Sequence, residues 1–218
     1  MNEWQILSQL PQETWARILL QQDPIYPKIP TADVEYYIRQ GLQAGLDAAS
    51  QWDLRQIYQA IENQQVRLCT KHSEGPCGIH AEYRSVQGSS SSDREIRLYE
   101  QTLQEIRSAA ELYKIPLHMQ QIRDLHLAHE FYHYLEDTNQ VDVYKTSRSV
   151  SFMVFHLFRQ TRAIKSLHEI AAHTFAQHLC QTTYHPLQLD WLLLKQQDEG
   201  QAKVFFDTCL SSVGIEKR

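Results

Sequence analysis

Leu127-Ala128-His129-Glu130-Phe131-Tyr132-His133 is the stretch on which the reading of this chain turns. Two imidazoles four residues apart, with a carboxylate directly after the first, form the HExxH pattern. On a helix, residues i and i+4 share a face, so His129 and His133 can reach one metal ion. Glu130, one position along, can reach a water on that ion and serve as its general base. The uncharged neighbours Leu127, Ala128, Phe131 and Tyr132 suit a buried helix, as a metal helix inside a core requires. The pattern predicts a helix over Met119–Asp137. Leu127, Phe131, Tyr134 and Leu135 fall on one side of it and Ile122, His126, His129, His133 and Glu136 on another, so both sides are occupied and the helix is central.

Outward from that helix the chain changes period twice. Residues 1–62 read as a helical layer: Trp15, Ile18 and Leu19, then Tyr37, Ile38, Leu42, Leu46 and Ala49, then Leu54, Ile57, Tyr58 and Ile61 recur at three and four. Pro24, Pro27 and Pro30 divide it, with Thr31 expected as an N-cap. Between Val66 and Tyr99 the pattern alternates, and Val66–Leu68, Tyr83–Ser85 and Ile96–Leu98 are expected as short strands of a small, mainly antiparallel sheet. Leu103, Ile106, Ala110 and Tyr113 make a helix that ends before Pro116. After the motif helix, Val150–Leu179 is expected to be helical with a bend near Arg162, and Leu187–Lys195 and Lys203–Leu210 to be C-terminal helices. The fold class is α+β and helix-rich, one domain with a core at 63–182 and C-terminal helices at 183–218.

Composition narrows the function classes. A formal charge of −5 with no long run of Lys or Arg gives no footprint for nucleic acid. The start of the chain lacks the basic and apolar segments of a signal peptide, and no apolar run reaches membrane-spanning length, so a cytoplasmic protein without membrane contact is expected. Cys69, Cys77, Cys180 and Cys209 form no CxxC. Reduced structural thiols are the default, although Cys69 and Cys77 straddle a turn. Of 11 histidines, six lie between His118 and His168, around the motif.

A catalytic zinc takes three protein ligands and leaves a fourth position for water, so a third ligand must come from elsewhere. The metzincin extension would need Gly at 136 and His at 139, where this chain has Glu136 and Asn139. The best remaining candidate is Glu169, in Ser166-Leu167-His168-Glu169-Ile170-Ala171-Ala172-His173-Thr174-Phe175-Ala176. The alanines there allow close approach of that helix to the motif helix. Ser166-x-x-Glu169 is also a capping box, which accounts for the glutamate without any metal.

HEFYH followed by Glu-x-x-Ala-His-x-Phe-Ala resembles the zincin-like metallopeptidases of the gluzincin kind, and most of all the ImmA/IrrE type. The resemblance covers about residues 66 to 180 and includes Arg94–Tyr99 as the edge strand, with the helix after it. It implies a zincin-like core, Zn2+ held by His129, His133 and Glu169, and Glu130 as the catalytic base. His173 departs from the family, which usually has Asn there. His173, His126, His168, His156, Tyr144 and Tyr184 are candidates for supporting the ligands or stabilising the transition state. A substrate chain is expected to pair with an exposed sheet edge, for which Ile96–Tyr99 is the candidate.

The function that follows is a zinc-dependent intracellular peptidase of narrow specificity, its substrate a peptide or protein and, by resemblance, a transcriptional regulator. The alternatives are a catalytically silent zincin-fold module for regulation or partner binding, and a helical scaffold in which HExxH is accidental.

Overall fold

A computed structural model describes residues 2–73, 75, 79–85, 94–154 and 158–212. In chain order the helices and strands are α1 (Glu3–Ser8), α2 (Gln12–Gln21), α3 (Val34–Ala49), α4 (Leu54–Glu62), β1 (Arg67–Lys71), β2 (Ala81–Arg84) and β3 (Glu95–Tyr99). They continue with α5 (Glu100–Leu112), α6 (Met119–Asp137), α7 (Val143–Thr146), β4 (Val150–Val154), β5 (Phe158–Arg162), α8 (Ser166–Leu179), α9 (Leu187–Gln197) and α10 (Glu199–Ser211). The fold is helix-rich α+β, and one apolar core runs from Leu7 of α1 to Cys209 of α10. Among the described residues no helix is long and apolar enough to cross a membrane.

The central sheet has the order β1-β3-β2. β1 is parallel to β3 and β2 antiparallel to it, so the sheet is mixed where alternation alone suggested a mainly antiparallel one. The parallel step is possible because β2 intervenes in chain order between β1 and β3. β3 is therefore the middle strand. Ile96–Tyr99, expected at the edge, is paired on both sides, and the edge beside the motif helix belongs to β2. Since Tyr99 N–H donates to His80 O (3.0 Å), the ladder alternation turns the backbone groups of Glu82 toward β3 and those of Ala81 and Tyr83 toward the open edge.

Two packing devices place the motif helix and its partner. α3 lies along α8 with Gly41 and Gly45, four residues apart on one face, at the contact. A Cβ on Gly45 would sit 2.5 Å from Ala171 O and 2.7 Å from Thr174 Cβ, and one on Gly41 would sit 2.7 Å from Ile170 Cγ2. Gly45 thus lets backbone meet backbone, Gly41 makes room for the Ile170 side chain, and α8 is clamped between α3 and α6. At the end of α6, Asp137 accepts hydrogen bonds from Tyr83 Oη (2.9 Å), Ser85 Oγ (3.0 Å) and Arg94 Nε (2.9 Å). Burial alone would raise the Asp137 pKa, but these three donors outweigh it and hold the carboxyl below its ordinary value.

The segment expected as a bent helix over Val150–Leu179 is instead a hairpin followed by a helix. β4 pairs antiparallel with β5, from Val150↔Arg162 to Val154↔Phe158. Val150 is buried and Phe152 half-buried, while Ser151 and Met153 are exposed, which is the two-residue period of a strand. β-branched and aromatic residues there favour the extended chain, and the helix begins only at Ser166. Thr31 does not cap α3. It opens a 3-10 turn in which Asp33 N–H donates to Pro30 O, and α3 starts from Asp33 without a side-chain cap bond. Cys69, Cys180 and Cys209 are free thiols, and burial pushes the pKa of Cys180 and Cys209 up to about 12. Cys77 lies outside the described residues.

Candidate metal centre

α6 begins where Gln121 Oε1 accepts the N–H of His118 (3.0 Å), and is enclosed by β2, β3, α4, α5 and α8. Leu127, Ala128, Phe131, Tyr132 and Leu135 are fully buried, so the helix has no free apolar face, and part of its polar surface lines a groove shared with α8. His129 and His133 lie in that groove.

α8 supplies the third group because its N-terminus is satisfied from elsewhere. Ser166 N–H donates to Asp23 Oδ2 (2.9 Å), whose other oxygen accepts Ile25 N–H (3.0 Å). Ser166 is the first helical residue, and α8 has no side-chain cap of its own. The capping box read from Ser166 and Glu169 does not form, which leaves Glu169 to face α6. Its Oε2 lies 3.4 Å from His129 Nε2 and its Oε1 3.7 Å from His133 Nε2, and the two Nε2 atoms are 3.2 Å apart. Burial would neutralise Glu169, but His129, then His133 and His173, hold its pKa well below the carboxylate range. Burial would likewise lower His129, and the bond to Glu169 with the charges of Glu130 and Asp190 overcomes it and raises the pKa.

Glu130 is buried, and its Oε2 accepts the Tyr83 N–H (2.6 Å), one of the backbone donors on the open edge of β2. The carboxylate of the motif thus touches the sheet edge directly. A cleft of about 170 Å³ holds both, lined by His80, His126, His129, Glu130, Glu169, His173 and Asp190 among others.

His80 and Asp190 were not candidates from sequence. His126 Nδ1 lies 2.7 Å from Ile122 O, a pure acceptor, so that nitrogen carries the proton. Burial, and then His80, push the His126 pKa down to about 3, leaving the ring neutral and its Nε2 bare. Nε2 then accepts from His80 Nδ1 (3.0 Å), which also faces Asp190 Oδ1 at 3.6 Å. The tautomer of His80 is fixed by this chain, with Nδ1 protonated. Asp190 is the lone charge among Leu187, Leu189, Trp191, Leu192, Leu193 and Leu194, an oddity that could have flagged it. His80 carries no local pattern at all.

The remaining candidates divide. His173 packs on His129 with ring centroids 4.6 Å apart, its Nδ1 is buried without a hydrogen-bond partner, and burial drives its pKa well below the ordinary imidazole value. His129, Glu169 and His173 form one group able to hold an ion, and His133, Glu136 and His168 another. His168 lies 5.6 Å from His133 between centroids, and Tyr144 flanks His168 at 6.1 Å. Tyr184 is not at the site: it packs on Trp4 at 5.5 Å, in the apolar layer between α1 and α9. His156 lies outside the described residues.

Compared with known protein families, with curated proteins and with solved structures, the chain matches none.

Proposed function

We propose that the chain is a zinc-dependent peptidase with a zincin-like core of the ImmA/IrrE kind. The carrying observation is the convergence of three donors of the right type. The two Nε2 atoms are 3.2 Å apart, and one carboxylate oxygen of Glu169 lies 3.4 Å from the first and the other oxygen 3.7 Å from the second, against tetrahedron edges of about 3.3–3.6 Å around an ion bound at 2.0–2.2 Å. Two imidazoles and one carboxylate from α6 and α8 also match the chemistry of a catalytic rather than a structural zinc set.

His129, His133 and Glu169 would hold the ion. When bound, it would supply Lewis acidity toward a carbonyl oxygen and make water acidic enough to lose a proton near neutral pH. Glu130 would accept a proton from the attacking water and return it to the departing amine nitrogen, and its contact with the β2 edge supports a base lying beside an extended peptide. The outward-facing backbone groups of Ala81 and the outward-facing carbonyl of Tyr83 would pair with such a peptide, so the docking edge is β2 in place of β3. Among the sequence candidates for meeting the oxyanion, His168 and Tyr144 lie outside the lining of that cleft, and His80, which lines it, has its Nδ1–H committed to His126 and Asp190 and serves to fix that chain rather than to donate to substrate. The substrate class proposed is a peptide segment of a protein, and by the resemblance a transcriptional regulator.

One observation favours a second reading. Glu130 already binds the Tyr83 N–H that a substrate strand would use, as a silent, partner-binding module would allow. The Glu130→Gln variant separates the two. In the peptidase reading, wild type and variant both take up one zinc per chain, and only wild type cleaves a quenched fluorogenic peptide library. Equal turnover by both proteins would sink the proposed base, and zinc uptake without turnover in wild type would establish the silent module.

A further inference from the structure

We propose that Glu136 is a positioning residue that selects the metal-binding tautomer of His133, with His168 bracing its carboxylate from α8; the inference rests on the metal-site reading above. Glu136 Oε2 lies 3.1 Å from His133 Nδ1, three residues back along α6 and hence on the same face. An ionised carboxylate only accepts, so the proton of a neutral His133 ring resides on Nδ1. The bare nitrogen is then Nε2, the atom 3.2 Å from His129 Nε2 and 3.7 Å from Glu169 Oε1. The opposite tautomer would present an N–H where a ligand lone pair is needed.

The same oxygen of Glu136 faces His168 Nδ1 at 3.7 Å, and His168 Nε2 lies 3.9 Å from Glu169 Oε1. His168 therefore stands between the two carboxylates, one from each helix, and ties the orienting group to the ligand group. The Glu136 side chain is only 17% accessible, so solvent competes weakly for it. It cannot share the ion of the His129–His133–Glu169 site. Nδ1 and Nε2 point away from each other across the imidazole ring, which puts Glu136 behind His133 as seen from that ion. His129 is supported differently, by the ring of His173. The two histidines of the motif thus have unequal support, a carboxylate for one and a neutral ring for the other.

The test uses the full-length protein and Zn2+ alone, with affinity read by competition against a chromophoric chelator. Glu136→Ala is expected to weaken zinc binding by about 10–100-fold while still saturating at the wild-type stoichiometry. Glu136→Gln, which keeps an acceptor oxygen, should recover part of the loss. The Co2+ absorption spectrum should be unchanged in all three proteins, and the unfolding midpoint of the metal-free proteins should agree. Wild-type affinity in Glu136→Ala would overturn the proposal alone. So would the loss of a second equivalent of zinc, which would make Glu136 a ligand of its own cation, or an equal loss of metal-free stability, which would make its role structural. Wild type that binds no zinc would overturn this inference and the metal-site reading together.

Discussion

The two helices that build the site are held on their outer sides by opposite means. α8 is fixed against α3 by absent side chains, at Gly41 and Gly45, where contact is steric and indifferent to pH. α6 is fixed to the sheet by a polar tie, in which one carboxylate, Asp137, collects three donors, from Tyr83 of β2, Ser85 just after it and Arg94 just before β3. A volume change should therefore break one wall of the groove and a charge change the other, although both walls position the same donors.

The largest effect is expected at the steric wall. Gly45→Val forces its side chain onto Ala171 O and Thr174, and overpacking of this kind costs about 1–3 kcal/mol or more. Because Ala171 lies two residues from Glu169, the displaced helix should also lose zinc affinity. Denaturant unfolding and metal titration of the one variant check both. Gly41→Ala should be milder, since it meets the side chain of Ile170 rather than backbone.

Acid should attack the polar contacts and spare the glycine contact. His185 is buried, stacked on Trp15 at 4.9 Å, and its Nδ1 accepts Leu187 N–H (3.2 Å); burial pushes its pKa down to about 3. The unfolded chain takes up this proton near pH 6.5 and the folded chain does not. Stability contributed by neutral His185 is thus complete above the unfolded pKa and falls as the pH drops toward 3, by on the order of 2 kcal/mol at pH 5. The Asp137 contribution, from a lowered carboxyl pKa, persists to more acid pH and disappears as the pH falls through its folded value. Tryptophan fluorescence during acid titration should show the first limb, to which the buried neutral His126 and His173 also contribute, and His185→Asn, which retains an acceptor for Leu187 N–H, should shrink it. An undiminished limb in the variant would assign it wholly to other groups.

The smallest effect is expected at the β4–β5 hairpin. Phe158 is 69% exposed and Met153 53%, so Phe158→Ser should change stability by less than about 0.5 kcal/mol and leave zinc binding intact. A larger loss, measured by thermal unfolding, would mean that the hairpin covers something the other contacts do not show.

Much of this organisation was legible along the chain. The motif helix was read with the bounds it has, Met119–Asp137, because its period and the break after Pro116 are local properties. The strands and the C-terminal helices were placed to within a few residues for the same reason. Val150–Arg162 was misread because aromatic and β-branched residues at short intervals fit either period until a partner strand is known. β3 was assigned to the edge because strand order is not written in any one strand. Tyr184 looked available to the site, yet its ring belongs to the layer that joins α1 to α9. The pairing of His80 with Asp190 is invisible along the chain because they are 110 residues apart in sequence and meet only when α9, packed on α5, brings Asp190 to the residue that precedes β2.

By itself the sequence determined that two imidazoles and a carboxylate share one buried helix, because the 3.6-residue period settles which side chains face together. Only the tertiary structure decided what Glu169 does. A carboxylate in a first helical turn can cap its own helix or face outward, and the choice depends on whether another group satisfies the helix N-terminus. Here Asp23, far away in the chain, accepts the Ser166 N–H, and Glu169 is left to meet His129 and His133 across the groove.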